Sequence, residues 1–324
     1  MAEYNPNYLD FEQSLLKIED KINTLSNSTD KNESTLSQIS KLKENFESET
    51  IKIFKNLSDW QISQLARHPL RPYTLDYIEH LFTDFTELHG DRMYGDDPAI
   101  ITGIAKIDNL DFMFIGHQKG RDAKEKVHRN FGMPKPEGYR KAHRIMQLAE
   151  KFNLPLVTFI DTPGAYPGID AESRNQSQAI AQNLYTMSNL KVPIISIIIG
   201  EGGSGGALAI GIGDKIAMLE YSIYSVISPE GCASILWKDA KKAATAAEAL
   251  CITSSKLLNF NLIDSIIPEP VGGAHRDYVA MSSALKINLT NMLEEVKLKN
   301  INDLILQRKN KIEDYGDYNV DENS

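Results

Sequence analysis

The chain is poor in the residues that build disulfide scaffolds and metal centres. Only two of its 324 residues are cysteines, Cys232 and Cys251, and no histidine or cysteine lies near them at a metal-ligand spacing. Free thiols of this kind are typical of inert core residues in a reducing compartment. We therefore expect a cytoplasmic protein that holds no metal in this chain.

Long apolar runs are missing as well. No segment approaches the roughly 18 uninterrupted apolar residues of a membrane-spanning helix. Residues 1–7 have neither the basic start nor the apolar stretch of a secretory signal. The formal net charge of −9 argues against a nucleic-acid-binding protein. We expect no membrane or nucleic-acid partner, and the length is sufficient for a large buried core.

The charge is unevenly spread along the chain. Nine basic and three acidic residues lie between Lys119 and Arg144, so this stretch is positive although the whole chain is acidic. Two interpretations remain open: a solvated helix face, or a site for an anionic ligand or partner.

Residues 1–57 have the pattern of a separate helical hairpin. Two sets of apolar residues recur at helical spacing on either side of a polar break over residues 26–32: Leu15, Ile18, Ile22 and Leu25, then Leu36, Ile39, Leu42 and Phe46. Such a stripe has to be buried, either on the same chain or on another subunit. We therefore treat this segment as an assembly element.

Strand and helix patterns alternate after residue 58, which predicts an α/β fold. A helix is expected over residues 75–88, a β-hairpin over 100–117, a basic helix over 138–152 and a helix over 172–188. The core is predicted to span residues 58–272. Residues 273–324 are predicted to form C-terminal helices and an acidic tail that begins near residue 313.

Two glycine-rich stretches follow the most apolar strand candidates. Asp161–Gly168 follows the run 154–160, and Gly200–Gly211 follows the run 192–199. Continuous apolar runs of this length are typical of strands buried on both faces. Glycine permits sharp turns and the close approach of a ligand to backbone N–H groups. Two such segments predict two backbone donor sites in one fold.

The second stretch also matches two unrelated catalytic motifs. Gly200, Gly202 and Gly205 have the spacing of a dinucleotide fingerprint, with Glu220 further along the chain. That motif usually opens a domain, whereas about 200 residues come first here.

The second match is a nucleophile elbow, Gly202-x-Ser204-x-Gly206, with Ser204 as nucleophile. Its base would have to be His275, the one histidine downstream, oriented by Asp264 or Asp239.

A third interpretation uses both stretches together. Backbone N–H groups at a helix start stabilise an oxyanion through hydrogen bonds and the helix dipole. A reaction between two carbonyl substrates requires two such sites, which fits two glycine-rich strand ends.

Seven blocks of the sequence closely resemble the carboxyltransferase α subunit of bacterial acetyl-CoA carboxylase. They are residues 64–69, 116–121, 129–134, 161–168, 200–211, 224–237 and 263–270. The resemblance extends from about Leu9 to the C-terminal helices. It departs near Asn175, where that family usually has glycine.

The resemblance implies a crotonase-like fold, a spiral of ββα units with an N-terminal helical hairpin and C-terminal helices. It implies transfer of a carboxyl group from carboxybiotin, on biotin carboxyl carrier protein, to acetyl-CoA. The product would be malonyl-CoA, in the first committed step of fatty-acid biosynthesis. The implied partners are a zinc-ribbon carboxyltransferase β subunit, in an α2β2 heterotetramer, and a biotin carboxylase that uses ATP.

The resemblance also suggests residue roles. Gly205 and Gly206 are the candidate oxyanion donors on the carboxybiotin side, and Gly164 with Ala165 the second pair. The candidate substrate-binding residues are Tyr166, Glu201, Gly202, Gly203, Lys119, Arg121 and Arg129. For the glycines, tight strand–helix packing is the simpler alternative.

Overall fold

An eight-stranded sheet forms the centre of the protein in a computed structural model that describes residues 7–28 and 32–316. The strands are β1 (Asp84–Glu87), β2 (Ile100–Ile107), β3 (Leu110–His117), β4 (Leu156–Thr162), β5 (Ile194–Gly203), β6 (Lys215–Leu219), β7 (Ile223–Ser225) and β8 (Ser265–Ile267). Their order is β1-β2-β3-β4-β5-β6-β8, and β7 pairs with the end of β5. The mixed α/β architecture expected from the sequence is confirmed.

The helices cover both faces of this sheet. They are α1 (Gln13–Ser26), α2 (Glu33–Phe54), α3 (Asp59–Ala66), α4 (Thr74–Leu81), α5 (Ala123–His128), α6 (Pro136–Phe152), α7 (Ile169–Ser173), α8 (Gln176–Asn189), α9 (Ser204–Leu208), α10 (Pro229–Leu236), α11 (Ala243–Leu250), α12 (Ser254–Asn259), α13 (Tyr278–Lys297) and α14 (Ile301–Glu313). No helix in the described ranges combines the length and apolar character needed to cross a membrane.

Strand direction places the ends of β4 and β5 at the same edge. β1, β2 and β3 are antiparallel, whereas β3, β4, β5, β6 and β8 run parallel. Every residue of β4 is buried, which agrees with its continuous apolar run. Because parallel strands end together, the segments that follow β4 and β5 meet.

Two apolar layers hold the helices on the sheet. On one face Tyr77 of α4 and Leu285 of α13 join a cluster with Phe112, Phe114 and Phe159 of the sheet. The other face is covered by α6 and α8 through residues that include Tyr139, Ile145, Met146 and Met187. Helix α13 therefore belongs to the same core as the strands. The proposed domain boundary at residue 272 stays a prediction.

Two predicted helices differ from the structure. The helix expected over residues 75–88 ends at Leu81, and Asp84–Glu87 forms the edge strand β1, because Phe85 packs against the sheet residue Phe114. The helix expected over 172–188 is divided into α7 and α8 at Asn175, whose φ is +64°. Asparagine adopts this left-handed conformation more readily than most residues, which explains why it can stand where the family usually has glycine.

The N-terminal hairpin is confirmed, and its base packs on the same chain. Leu15 and Leu16 of α1 contact Phe46 and Ile53 of α2, and the Phe54 ring lies 5.6 Å from that of Tyr221. Further out, Leu36 is 57% exposed. Residues 29–31 of the predicted break and residues 317–324 of the predicted acidic tail lie outside the described residues.

One buried ion pair fastens this hairpin to the core. Glu12 is fully buried, and its Oε1 lies 2.7 Å from Nη2 of Arg276 and 3.4 Å from Nε2 of His275. Burial alone would raise the pKa of Glu12, but His275 and Arg276 lower it to about 2. The folded pKa thus lies below the ordinary value of 4.5, so this contribution to stability is complete above pH 4.5 and is lost as the pH falls towards 2.

Glu12→Gln should therefore loosen the hairpin without unfolding the sheet. The substitution preserves shape but leaves the Arg276 charge without its carboxylate partner, which costs about 3–5 kcal/mol for a buried pair. Hydrogen exchange should speed up in α1 and α2 and stay slow in β4 and β5. Glu47→Gln, at an exposed position of α2, is the matched control. Unchanged exchange in both variants would contradict this role for Glu12.

Candidate functional site

The two glycine-rich segments meet where β4 and β5 end. The sequence predicted that the second segment is a loop from Gly200, whereas β5 continues to Gly203 and pairs with both β4 and β7. An irregularity in the β4–β5 register sets Asp161 opposite the extra residues of β5. Such bulges redirect a strand end. The chain therefore turns directly from β5 into α9 at Ser204, whose φ is +53°.

The backbones of the two segments touch. A Cβ atom at Gly203 would lie 2.3 Å from the Pro163 carbonyl oxygen, and one at Gly206 would lie 2.5 Å from Ala165 N. Any larger residue at these two positions would overlap the neighbouring main chain. Gly205 differs, because the nearest atom to its Cβ position is in Ile180 at 3.9 Å. Glycine is thus required for packing at two positions and leaves open space at the third.

Backbone N–H groups that have no acceptor within a helix lie at this contact. α9 begins at Ser204, so the N–H groups of Gly205 and Gly206 lie in a first helical turn, where no intrahelical acceptor exists. In the other segment the Gly164 N–H donates to Oγ1 of Thr162 at 3.1 Å, and Tyr166 N–H donates to the Pro134 carbonyl at 3.0 Å. The better donor candidate of the second predicted pair is therefore Ala165, with Gly164 shaping the turn at a φ of +149°.

Two cavities border the Gly203–Gly205 turn. One has a volume of about 360 Å³ and a mainly apolar lining that includes Ser204, Gly205, Leu208, Ile216, Tyr224, Leu257, Leu262, Ile312 and Tyr315. The other has about 260 Å³ and includes charged side chains, with Arg67, Pro163, Glu201, Gly202, Gly203 and Glu230 among its lining residues. The turn can therefore be approached from an apolar and from a charged side.

A buried charge network lies beneath the turn. The Lys119 ammonium is 2.7 Å from Oδ1 of Asp161 and 2.7 Å from Oε2 of Glu201. Arg67 extends it, with Nε 2.6 Å from Oε1 of Glu201 and Nη1 2.6 Å from Oε1 of Glu230. Asp161 Oδ1 also accepts the Glu201 N–H at 2.9 Å. The network thus ties the ends of β4 and β5 to α10.

Burial and pairing shift the ionisation of this network. Burial raises the pKa of Asp161 and outweighs the effect of Lys119. Burial acts in the same direction on Glu201, yet Lys119 and Arg67 lower its pKa below the ordinary value. Desolvation opposes the charge on Lys119, but its two carboxylate partners raise its pKa. The Lys119 ammonium is therefore held between two acidic groups and is charged at neutral pH.

His117 is a neutral residue beside this network. Its Nδ1 lies 3.4 Å from the Asp161 N–H, which donates to it. Burial, and then the charge of Lys119, lowers the pKa of His117 to about 3. The imidazole is uncharged at neutral pH and helps to fix the end of β4.

The other predicted basic residues are also paired within the chain. Arg121 contacts Asp76 and stacks on the Tyr73 ring at 4.6 Å, and Arg129 Nη1 donates to the Pro98 carbonyl at 2.9 Å. The remaining candidate, Tyr166, lies under the Lys135 ammonium, 5.0 Å from its ring centre. Substrate contacts for these residues stay predictions.

Several side chains of the basic stretch have partners within the same chain. Arg140 Nε is 3.0 Å from Asp91, and Lys141 Nζ is 2.5 Å from Asp96. Arg144 donates to the Gly90 carbonyl at 3.0 Å. Much of the local positive charge is thus compensated internally.

The structure favours neither the hydrolase nor the dinucleotide interpretation. Within the described ranges the Ser204 hydroxyl makes no hydrogen bond, and His275 instead stacks on His68 at 4.0 Å. The dinucleotide glycines Gly200 and Gly202 lie in a paired strand, and a Cβ at Gly200 would be 2.5 Å from Asp161.

One cluster has the residue types of a metal site. Ligand atoms of Glu12, His68 and His275 lie within 4.8 Å of one another. Both ring nitrogens of His68 already have backbone partners, Leu70 N and the Asn7 carbonyl, and Glu12 carries the Arg276 ion pair. His68 and Glu12 thus have protein partners, whereas the two ring nitrogens of the buried His275 lack a hydrogen-bond partner among the described residues.

Sequence reasoning missed Arg67, Asp161 and Glu230 as members of the site. Asp161 carried a usable signal, because a carboxylate at the end of a continuous apolar strand needs a partner. No local pattern relates Arg67 to residues 134 and 163 positions later in the chain.

Comparisons with known proteins identify the family. The family described as acetyl co-enzyme A carboxylase carboxyltransferase-like matches residues 8–316. The chain belongs to this family. It is 59% identical over 314 residues to the acetyl-coenzyme A carboxylase carboxyl transferase subunit alpha of Sodalis glossinidius (strain morsitans), covering 96% of this chain and 98% of that protein. The subunit of Azotobacter vinelandii (strain DJ / ATCC BAA-1303) is 57% identical, with 96% and 99% covered.

Solved structures show the same fold at low identity. A transcarboxylase 12S hexamer matches with a TM-score of 0.59 and 18% identity, over 71% of this chain and 42% of that chain. A Pseudomonas malonate decarboxylase hetero-tetramer in complex with coenzyme A matches with a TM-score of 0.58 and 15% identity, over 72% and 91%. The crotonase-like fold is confirmed, and the chain is a carboxyltransferase subunit.

The two glycines of the donor turn should respond differently to a methyl group. Gly206→Ala sets a Cβ 2.5 Å from the backbone of Gly164 and Ala165, so overpacking should destabilise the protein by about 1–3 kcal/mol. Gly205→Ala meets no atom closer than 3.9 Å and should leave stability unchanged or slightly higher. Urea denaturation of both variants measures this difference. Equal losses of stability would show that the close contact is absent.

Removing the Lys119 charge should destabilise the core. Lys119→Gln leaves two buried carboxylates facing each other, and breaking a buried pair costs about 3–5 kcal/mol. Asp161→Asn in the same chain should recover part of that loss. Lys124→Gln, at an exposed position of α5, is the control and should change stability little. A Lys119→Gln protein as stable as this control would rule out the network as a structural support.

Proposed function

We propose that this chain is the α subunit of an acetyl-CoA carboxylase carboxyltransferase and forms the carboxybiotin side of its active site. The reaction is the transfer of a carboxyl group from carboxybiotin, on biotin carboxyl carrier protein, to acetyl-CoA, which yields malonyl-CoA for fatty-acid synthesis. The observation that carries the proposal is the contact between two strand-end segments, each with backbone N–H groups available. Family membership, with identity near 58% over almost the full length, supports it.

Carboxybiotin supplies the carboxyl group, and this chain supplies hydrogen-bond donors. Gly205 and Gly206, at the positive end of α9, would bind the ureido oxygen, on which negative charge develops as the carboxyl group leaves. Ala165 would donate to the second carbonyl substrate, with Gly164 shaping its turn. Donors fixed in a strand–helix turn need no reorganisation during the reaction, and this is the usual basis of oxyanion stabilisation.

We propose that the buried charge network fixes the position of the turn and does not supply a catalytic base. Glu201 is held by Lys119 and Arg67, so its carboxylate positions Gly202 and Gly203 and need not touch substrate. Biotin itself would accept the proton of acetyl-CoA once the carboxyl group has left.

The partners would complete the site. A zinc-ribbon β subunit in an α2β2 complex would supply most of the CoA side, and a separate biotin carboxylase would recharge biotin with ATP. Exposed apolar side chains near the turn support such an interface, since Val226 is 75%, Ile235 67% and Leu236 68% exposed. The reducing cytoplasm is the proposed compartment, in keeping with the free thiols of Cys232 and Cys251.

The test is reconstitution of the two subunits. Purified chain is mixed with a zinc-bearing β subunit, and malonyl-CoA decarboxylation is followed with and without free biotin. Activity should need both subunits and biotin. Full turnover by this chain alone would disprove the heteromeric proposal.

Two variants separate backbone-donor catalysis from a serine nucleophile. Ser204→Ala keeps every N–H group and should retain most activity. Gly205→Ala should keep the fold and its N–H group, but its methyl group would stand where the carbonyl must approach. By keeping the carbonyl away from the donor it should lower the rate about 10²–10³-fold, the scale known for loss of one oxyanion donor. Steady-state kinetics of the reconstituted complex measures both, with circular dichroism as the folding control. If Ser204→Ala abolishes activity and Gly205→Ala does not, the donor mechanism is wrong.

A further inference from the structure

Residues at the end of α14 and just after it line the apolar cavity beside the donor turn. This cavity has a volume of about 360 Å³, and its lining includes Ser204 and Gly205 together with Ile312 and Tyr315. Its lining contains no Lys, Arg, Asp or Glu among the described residues. A volume near the lower limit of ligand pockets, about 300–1,000 Å³, suits a small uncharged ring system better than the phosphates of CoA.

A buried arginine fixes this helix relative to the donor strand. Arg308 of α14 forms a bidentate pair with Asp214, with Nε–Oδ1 2.8 Å and Nη2–Oδ2 2.7 Å, and both side chains are almost fully buried. The guanidinium also donates to the carbonyls of Met187, Leu190 and Val192. Asp214 Oδ2 in turn accepts the N–H of Ile194, the first residue of β5, at 2.7 Å. The strand that ends at the donor turn thus also anchors α14.

The helical repeat places a cavity-lining residue one turn after the anchored Arg308. Ile312 follows Arg308 by four residues and so lies on the same face of α14, one turn further on. Tyr315 follows the helix by two residues and lines the same cavity as Tyr224. Burial, with the nearby Asp264, raises the pKa of Tyr315 to about 12, so its phenol is neutral at physiological pH. This part of the cavity lining is therefore apolar and uncharged, and the Arg308–Asp214 pair anchors the helix that carries Ile312.

We propose that Ile312 and Tyr315 form a wall of the biotin pocket and determine how the bicyclic ring of biotin seats against the Gly205 donor. This inference rests on the proposed function. The ring would lie against Leu208 and Tyr224 with its ureido oxygen towards the turn. The C-terminal segment is then a specificity element of the active site as well as part of the fold.

Kinetics of the reconstituted complex test the wall directly. Tyr315→Ala enlarges the pocket and removes apolar contact, so the KM for free biotin should rise about tenfold, the equivalent of about 1.4 kcal/mol. The KM for malonyl-CoA should stay unchanged, because the wall faces the biotin side. Tyr315→Phe keeps the ring and should restore the KM for biotin. Leu306→Ala, 58% exposed on the same helix, is the matched control.

A binding measurement makes the test independent of turnover. Ile312→Cys in a Cys251→Ser background places one reactive thiol at the wall, since Cys232 is buried. Biotin should slow its alkylation by a maleimide in the complex, whereas coenzyme A should not. A thiol at Leu306→Cys should be alkylated at the same rate with and without biotin.

The outcomes separate the two proposals. A wild-type complex without biotin-dependent turnover would refute the proposed function. A wild-type complex that is active, with a Tyr315→Ala KM for biotin equal to wild type and no protection of the thiol at position 312, would refute the wall alone. An equal rise in both KM values would also refute it, because a general loosening of the fold would then explain the effect.

Discussion

Direct backbone contact between the ends of β4 and β5 is the constraint on which the rest of the site depends. Gly203 and Gly206 approach the main chain of Pro163, Gly164 and Ala165 so closely that no Cβ fits. The contact would bring two sets of proposed N–H donors together, and it requires parallel strands that end at the same edge of the sheet. The apolar runs of both strands, and the helices that bury them, can be understood as the means by which this geometry is held.

The charge network beneath the turn fixes the positions of the strand ends more than it adds to the net stability of the fold. Desolvating Lys119, Asp161 and Glu201 costs free energy that their mutual attraction offsets only when the geometry is good. The pairing distances near 2.7 Å meet that condition and join three separate elements of the fold. A network of this kind resists small displacements, since each movement separates a buried charge from its partner. That resistance is what a preorganised donor turn needs.

The sequence predicted the strands better than the boundaries and partners of the site. Continuous apolar runs located β4 and β5, and glycine spacing located the turn from β5 into α9, because both signals are local. The sequence placed the start of the second loop too early, at Gly200, since Glu201–Gly203 pair with β7, and no local pattern encodes pairing with residues about 20 positions later. The sequence left open whether the basic stretch is a solvated helix face or a site for an anionic ligand. Its partners Asp91 and Asp96 could not be recognised, because they precede it in a segment without a regular pattern.

The charges that the fold uses internally also account for why this chain would act as one subunit of a larger enzyme. Lys119, Arg121 and Arg129 are each engaged by groups of their own chain, and the apolar cavity offers no cation. An acyl-CoA carries several phosphate charges, which a protein normally meets with cations. If a partner supplies the CoA side, as proposed, it would also supply the cations that this chain uses within its own fold. The neutral pocket of this chain would then suit an uncharged bicyclic ring, and the proposed division of substrates between subunits would follow from where the charges lie.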